Sequence, residues 1–165
     1  MPPKRPHPLD AIDVKILAAL QRDGRSTIAK LAQRVGLSPR ACLERVRRLE
    51  TTGIIAGYQA VIELRHLSRP VNVFAEIILE KQANRSRFER RLNSIDAVVE
   101  CWEVSGEVDY IARFVCSDLA DYEELTSALI DDADLRVARI VSHVALRPVR
   151  RFAGYPDRLL TRKPG

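Results

Sequence analysis

The chain has 165 residues, 46% of them hydrophobic and 30% charged, which allows a packed core and argues against global disorder. No apolar run approaches the roughly 20 residues a membrane span requires. The start, MPPKRPHPLD, lacks the apolar stretch of a secretory signal, so a cytoplasmic location is expected. The net charge of +5 is unevenly spread: residues 1–65 hold 12 Lys+Arg and 6 Asp+Glu, residues 66–146 hold 9 and 15, and residues 147–165 hold 6 and 1. A basic head beside an acidic body localises a polyanion site to the head, with the tail as a second candidate.

Residues 1–8, with four prolines, read as a loose basic arm. A helix follows over Asp10–Arg22, with an apolar stripe of Leu9, Ile12, Ile16, Leu17 and Leu20. Asp10 is its expected N-cap, and Asp13 sits where the helix dipole favours negative charge. Asp23-Gly24 ends it.

In the next helix Ile28, Leu31, Ala32 and Val35 recur at i, i+3, i+4 and i+7. Ser26 is a candidate cap for this helix and a candidate donor to a phosphate. Gly36 closes the helix, Leu37 pins the turn, and Ser38-Pro39 open a third helix as N-cap and first-turn proline. Cys42, Val46 and Leu49 share one side of it. Arg40, Arg47 and Arg48 are read as pointing the other way, with Arg45 on the flank, and Gly53 stops the helix. An arginine-rich solvent face alone is ordinary surface. Here the glycine turn, the cap and the basic face occur together, which is the pattern of a helix-turn-helix that lays its second helix in the DNA major groove. The first helix would complete a three-helix domain over residues 9–54, because two short helices cannot bury enough surface alone.

The β-rich segment IIAGYQAVIEL, interrupted by Gly57, is read as a strand that leaves the helical domain and acts as a hinge, with residues 55–70 as the linker. From Val71 the order reads strand (Val71–Glu80), helix (Arg85–Asn93), strand (Val98–Val104), strand (Asp109–Cys116), helix (Leu119–Ile130), strand (Val137–Leu146). Asp118 caps the second of these helices, and Ser105-Gly106-Glu107-Val108 makes the hairpin. βαββαβ is the ferredoxin-like arrangement, here over residues 71–149, with both helices on one sheet face. A second copy of the sheet is the economical cover for the other face, so a homodimer is expected. Residues 150–165 remain as a basic tail.

Cys42, Cys101 and Cys116 form no CxxC pair, and His7, His66 and His143 are scattered, so no metal site, cofactor or disulfide framework is expected. No nucleophile–base grouping or glycine-rich phosphate loop suggests catalysis.

The runs LSPRACLERVRRLETTGIIAGYQAVI, VNVFAEIILE and ECWEVSGEVDYIARFVCSD resemble the Lrp/AsnC (feast/famine) transcription regulators, from about Leu9 to Val149. The resemblance implies an α+β chain: an N-terminal three-helix (winged) helix-turn-helix domain, a strand linker, and a C-terminal ferredoxin-like effector and dimerisation domain. It further implies dimers that assemble to tetramers or octamers, and a small effector, typically an amino acid, bound between dimers near the hairpin. Carried over by position, the effector residues are Val104, Gly106, Glu107, Asp109 and Tyr110, with Ile140 and Ser142 where the family often has two hydroxyl residues. Only Ser142 keeps the hydroxyl. Siroheme decarboxylases resemble the same family in both domains. That alternative needs a catalytic histidine, and His143, the one histidine in the right domain, reads as structural. A second alternative is an architectural DNA-binding protein without an effector.

Two kinds of DNA contact are expected. Ser38, Pro39, Arg40, Ala41 and Glu44, near the helix start, reach base edges; the Arg40 fork fits guanine O6 and N7, and Glu44 accepts from a cytosine amine. Arg45, Arg47 and Arg48 hold phosphates. Arg45 has a rival role as a salt-bridge partner inside the helical domain. At the hairpin, Gly106 admits close approach of a ligand to backbone N–H groups, and Asp109 would pair with an ammonium group or else act as a local cap.

Overall fold

The computed structural model describes residues 9–160; the arm at 1–8 and the end of the tail lie outside the described residues. The chain divides into two compact units. One runs to Val61 and takes up the chain again from Arg150; the other spans Ile62–Val149.

The first unit begins with α1 (Ala11–Arg22), α2 (Ile28–Val35) and α3 (Pro39–Thr51). Asp10 caps α1 by accepting from the Ile12 and Asp13 N–H groups at 2.9 and 2.8 Å, and the Asp13 carboxylate accepts from the Asp10 N–H in return. This reciprocal box satisfies donors that a helix start otherwise leaves bare. Gly36 closes α2 at φ 73°, in the left-handed region. Ser38 caps α3, its hydroxyl accepting from the Ala41 N–H. Ile16, Leu31, Cys42 and Leu49 are fully buried in one cluster, and Leu37 packs against it as a half-buried pin.

The expectation for Ser26 is corrected. The cap of α2 is Thr27, whose hydroxyl accepts from the Lys30 N–H, while the Ser26 hydroxyl is buried and makes no hydrogen bond. The linker strand and the wing are corrected too. Among the described residues, Ile54–Glu63 contains no hydrogen-bonded strand, and a 3-10 turn follows at Leu64–His66. A strand needs a neighbour to take its N–H and C=O groups, and this segment pairs with no strand among the described residues. The segment anchors back instead through the Ile55 N–H donating to the Leu49 carbonyl at 3.0 Å, through Ile54 and Ile55 against the helical core, and through the Tyr58 hydroxyl donating to Glu50 at 2.9 Å.

The second unit is the expected βαββαβ: β1 (Val71–Leu79), α4 (Arg85–Asn93), β2 (Val98–Glu103), β3 (Tyr110–Cys116), α5 (Leu119–Asp131) and β4 (Val137–Val144). The antiparallel sheet has the order β2-β3-β1-β4. Alternation decides its faces. Val73, Ala75, Ile77 and Leu79 of β1 and Tyr110, Ala112, Phe114 and Cys116 of β3 form one core with Phe88 and Leu92 of α4 and Tyr122 and Leu129 of α5. The opposite face carries Phe74, Ile78, Trp102, Ile111 and Val115 beside the pairs Glu100–Arg113 and Glu76–His143. No helix of this unit covers it.

After β4 the chain rejoins the first unit, where a single turn, α6 (Asp157–Leu160), contacts α1 and sets Leu160 against the helical core.

Candidate nucleic-acid and ligand sites

The side chains of α3 divide into two faces with different work. Arg40, Glu44 and Arg47 recur at i, i+4 and i+7 and are exposed. Arg40 reaches Glu44 at 3.4 Å, with side-chain exposures of 91% and 67%. An ion pair so open is worth at most about 0.5 kcal/mol, so either partner can exchange it for a nucleic-acid contact. Ser38 and Pro39 lie exposed at the start of this face and Ala41 is half-buried beside them. The Ser38 hydroxyl is already committed to the cap.

Arg45 and Arg48 turn toward α1, which gives the salt-bridge role of Arg45 its partners and adds the same role to Arg48. Arg45 Nη1 donates to Asp10 Oδ2 at 2.6 Å and to Asp13 Oδ1 at 2.8 Å; Arg48 Nη2 donates to Asp13 Oδ2 at 2.6 Å. Asp13 is 1% exposed. Its two oxygens thus take one guanidinium each, and α3 is locked to the start of α1. The N–H of Asp13 and the Arg45 guanidinium hold the Asp10 carboxyl below its ordinary value, and the Arg45 guanidinium is pushed up by the same carboxylates. Of the three arginines assigned to phosphates, Arg47 alone stays outward. The acid that claims Arg48 lies 35 residues upstream, too far for helical spacing to signal.

The six-residue connection between β2 and β3 builds the second candidate site. Ser105, Gly106 and Glu107 are exposed and Val104 is half-buried. Gly106 sits at φ 125° with open space where a Cβ would stand. Asp109 is not a free carboxylate. Oδ2 accepts from the Leu79 N–H at 2.8 Å and Oδ1 from Arg85 Nη2 at 2.6 Å, which together lower its pKa. Arg85 also donates to Glu103 and lies 5.8 Å over the Tyr110 ring. Asp109 thus ties the hairpin to the end of β1 and to α4 rather than capping its own turn, and Leu79 and Arg85 are the partners that sequence reasoning missed. Tyr110, named with the effector residues, is 2% exposed, packs on Phe88 with ring centroids 5.0 Å apart, and donates its hydroxyl to Glu89.

Ile140 and Ser142 lie in register with Ile77 and Ala75 of β1, while Tyr110 and Ala112 flank the same residues on the other side. β1 thus stands between the hairpin strands and β4, a separation of about 10 Å. Within one chain the two halves of the expected effector set do not meet. The Ser142 hydroxyl is held by the Tyr122 hydroxyl of α5 at 2.5 Å. His143, the histidine of the enzyme alternative, faces Glu76 at 3.4 Å on the open sheet face. No group of His, Cys, Asp or Glu among the described residues could hold a metal ion, and no described helix is long and apolar enough to cross a membrane.

Comparison with known proteins agrees with both units. An AsnC-type helix-turn-helix domain matches residues 9–50 and an Lrp/AsnC ligand binding domain matches residues 72–154. A leucine-responsive regulatory protein of Haemophilus influenzae is 42% identical over 127 residues, 76% of each chain. A Bkd operon transcriptional regulator of Pseudomonas aeruginosa is 45% identical over 124 residues, 73% of this chain and 81% of its own. Among solved structures, an AsnC family transcriptional regulator from Agrobacterium tumefaciens superposes with a TM-score of 0.81 at 30% identity, covering 90% of this chain and 97% of its own. A Neisseria meningitidis transcriptional regulator in complex with L-Met gives 0.79 at 29% identity, covering 90% and 96%. With an outward cationic helix on a three-helix unit, a ferredoxin-like partner domain and these matches along most of its length, the chain belongs to the Lrp/AsnC family of DNA-binding transcriptional regulators.

Proposed function

We propose that the protein reads duplex DNA through Arg40, Glu44 and Arg47 of α3 and answers to an amino acid or closely related metabolite. The observation that carries the DNA half is the division of α3. Two of its arginines are spent on Asp13, and the outward pair is left with nothing stronger than one solvent-exposed ion pair. Arg40 and Glu44, on the first turns, reach base edges; Arg47, one turn further, binds phosphate and fixes register.

The effector half rests on the exposed hairpin around Gly106 and on the ligand-binding family of the domain. The relative solved with L-Met favours an amino acid. Since β1 separates the hairpin from Ile140 and Ser142, a ligand touching both groups needs a second copy of the chain. The open sheet face, with Phe74 and Trp102 exposed at 40% and 54%, suits a homodimer. Tetramers or octamers would follow from contacts at the hairpin end, and the ligand would shift that assembly and with it DNA affinity. The alternative of an effector-independent architectural protein predicts one affinity under all conditions.

Sequencing the genomic fragments retained by the purified protein, with and without a pool of amino acids, tests both halves. Enrichment of a defined site that changes with the pool is expected. Retention without site preference would sink base reading, and an unchanged profile would sink the effector.

A further inference from the structure

The chain leaves the ligand-binding domain at Val149 and returns to the DNA-binding unit, and several contacts meet on α1 where it does so. The Tyr155 N–H donates to Gln21 Oε1 at 2.6 Å, and the Gln21 amide donates back to the Tyr155 carbonyl at 3.4 Å. Gly154 lies at φ 103°, and a Cβ there would stand 3.0 Å from the Gln21 amide group. Only glycine lets the backbone approach α1 this closely. Phe152 and Tyr155 stack edge to face at 5.1 Å, and Leu160 joins the helical core. Asp157 lines a cleft of about 600 Å³ together with Lys15, Arg22, Asp23 and Arg34.

We propose that residues 150–160 are an intramolecular strap, a second tie between the ligand-binding domain and the DNA-binding unit. The first tie is residues 54–70, a segment without a strand of its own and with Val61 and Leu67 exposed at 87% and 75%. The strap leaves the sheet just beyond β4, the strand of Ile140 and Ser142, and grips α1. Two hydrogen bonds, one half-buried leucine and the close approach of Gly154 make a reversible grip. Displacement at β4 thereby reaches α1. This last step rests on the ligand reading above; the strap itself does not.

Hydrogen exchange on the full chain tests it, comparing the parent with Gly154→Val, with Gln21→Ala, with their combination, and with a chain stopped after Val149. Amides of α1 should exchange at least about tenfold faster in Gly154→Val and in the shortened chain, with α4 and α5 unchanged. The combination should be no faster than Gly154→Val alone, since both changes break one contact. Unchanged α1 exchange in Gly154→Val overturns the strap, even if the shortened chain fails to fold. DNA affinity with and without the amino-acid pool is the second readout: the pool's fold-effect should shrink in Gly154→Val. An equal fold-effect in both chains overturns the coupling. A parent chain with no response at all overturns the ligand reading and leaves exchange to decide the strap.

Discussion

Both units fasten their candidate functional element with an aspartate gripped by arginine from elsewhere in the chain, yet the two clasps differ in weight. In the helical unit Asp13 is 1% exposed and binds Arg45 and Arg48. In the sheet unit Asp109 is 22% exposed and binds Arg85, itself half open to water. The difference teaches where each unit draws its stability. A three-helix unit this small has a modest apolar core, so two arginines of α3 converging on one buried aspartate add to the hold of α3 on α1. The sheet unit is held by its apolar core between strands and helices, and its clasp only shapes one hairpin. The first clasp is structural for the whole unit and the second is local.

The sharpest way to break this contrast is Asp13→Ala. It removes two charge-assisted hydrogen bonds and half of the capping box, at about 1.5 kcal/mol or more for each bond lost; Arg45 keeps Asp10, and both guanidinium groups reach solvent. Denaturant unfolding followed by far-UV and Trp102 signals should show the helical transition move to much lower denaturant while the Trp102 transition in the sheet unit stays. Equal shifts of both transitions would mean that the units unfold as one. DNA retention should be lost with the helical unit.

Asp109→Ala should do less, about 1–3 kcal/mol, because hydrogen bonds to a charged group carry that range and the site is partly wet. Its effect should appear as faster exchange of the Leu79 amide and of the hairpin, with the core strands unaffected. The pH dependence follows from the sign of the shift. The Asp109 carboxyl lies below its ordinary 3.8, set by the Leu79 N–H and then by Arg85. A depressed carboxylate favours the folded state above its unfolded value and loses that contribution as pH falls through the folded one. Hairpin protection should therefore be intact at neutral pH and fade below about pH 4. Asp109→Asn, which keeps an acceptor for Leu79 but no charge for Arg85, should flatten that acid response.

On α3 the contrast between inward and outward arginines predicts a split in DNA binding. Arg40→Ala should relax preference at one base pair by about 1–3 kcal/mol. Arg47→Ala should weaken all sequences alike and lower the salt slope by about one ion. Neither should alter thermal stability measurably, since both side chains are exposed. Site selection with each variant, run at two salt concentrations, checks the assignment; a shared pattern would erase the distinction between reading and positioning.

How far this was legible in the sequence follows from distance along the chain. Asp10, Gly36, Ser38 and Pro39 declare helix ends through contacts within four residues, and those ends formed as read. The strand and helix periods of residues 71–144 likewise hold because burial on a sheet repeats every second residue. The pairing of Arg48 with Asp13 was not legible because the acceptor lies on another helix, and helical phase alone cannot tell an arginine aimed at a neighbour from one aimed at solvent. Asp109 was left between two roles until Arg85 appeared beside it. The segment at 54–64 had the composition of a strand, but strand formation depends on a partner that composition does not supply. The return of the tail to α1 had no local signal except glycine at position 154.

The smallest effect is the most discriminating for local chemistry, because it sets neighbouring hydroxyls against each other. Thr27 accepts from the Lys30 N–H and caps α2, whereas the Ser26 hydroxyl is buried without a partner. Thr27→Ala should cost about 1 kcal/mol, the usual value of a lost N-cap. Ser26→Ala removes a polar atom whose burial already carries a desolvation penalty, so it should be neutral or slightly stabilising. If Ser26 instead served DNA, Ser26→Ala would leave the melting temperature unchanged and weaken retention of the operator. Unaltered retention with a raised or equal melting temperature assigns Ser26 to the fold, and a drop in melting temperature on Ser26→Ala would mean that the hydroxyl finds a partner after all.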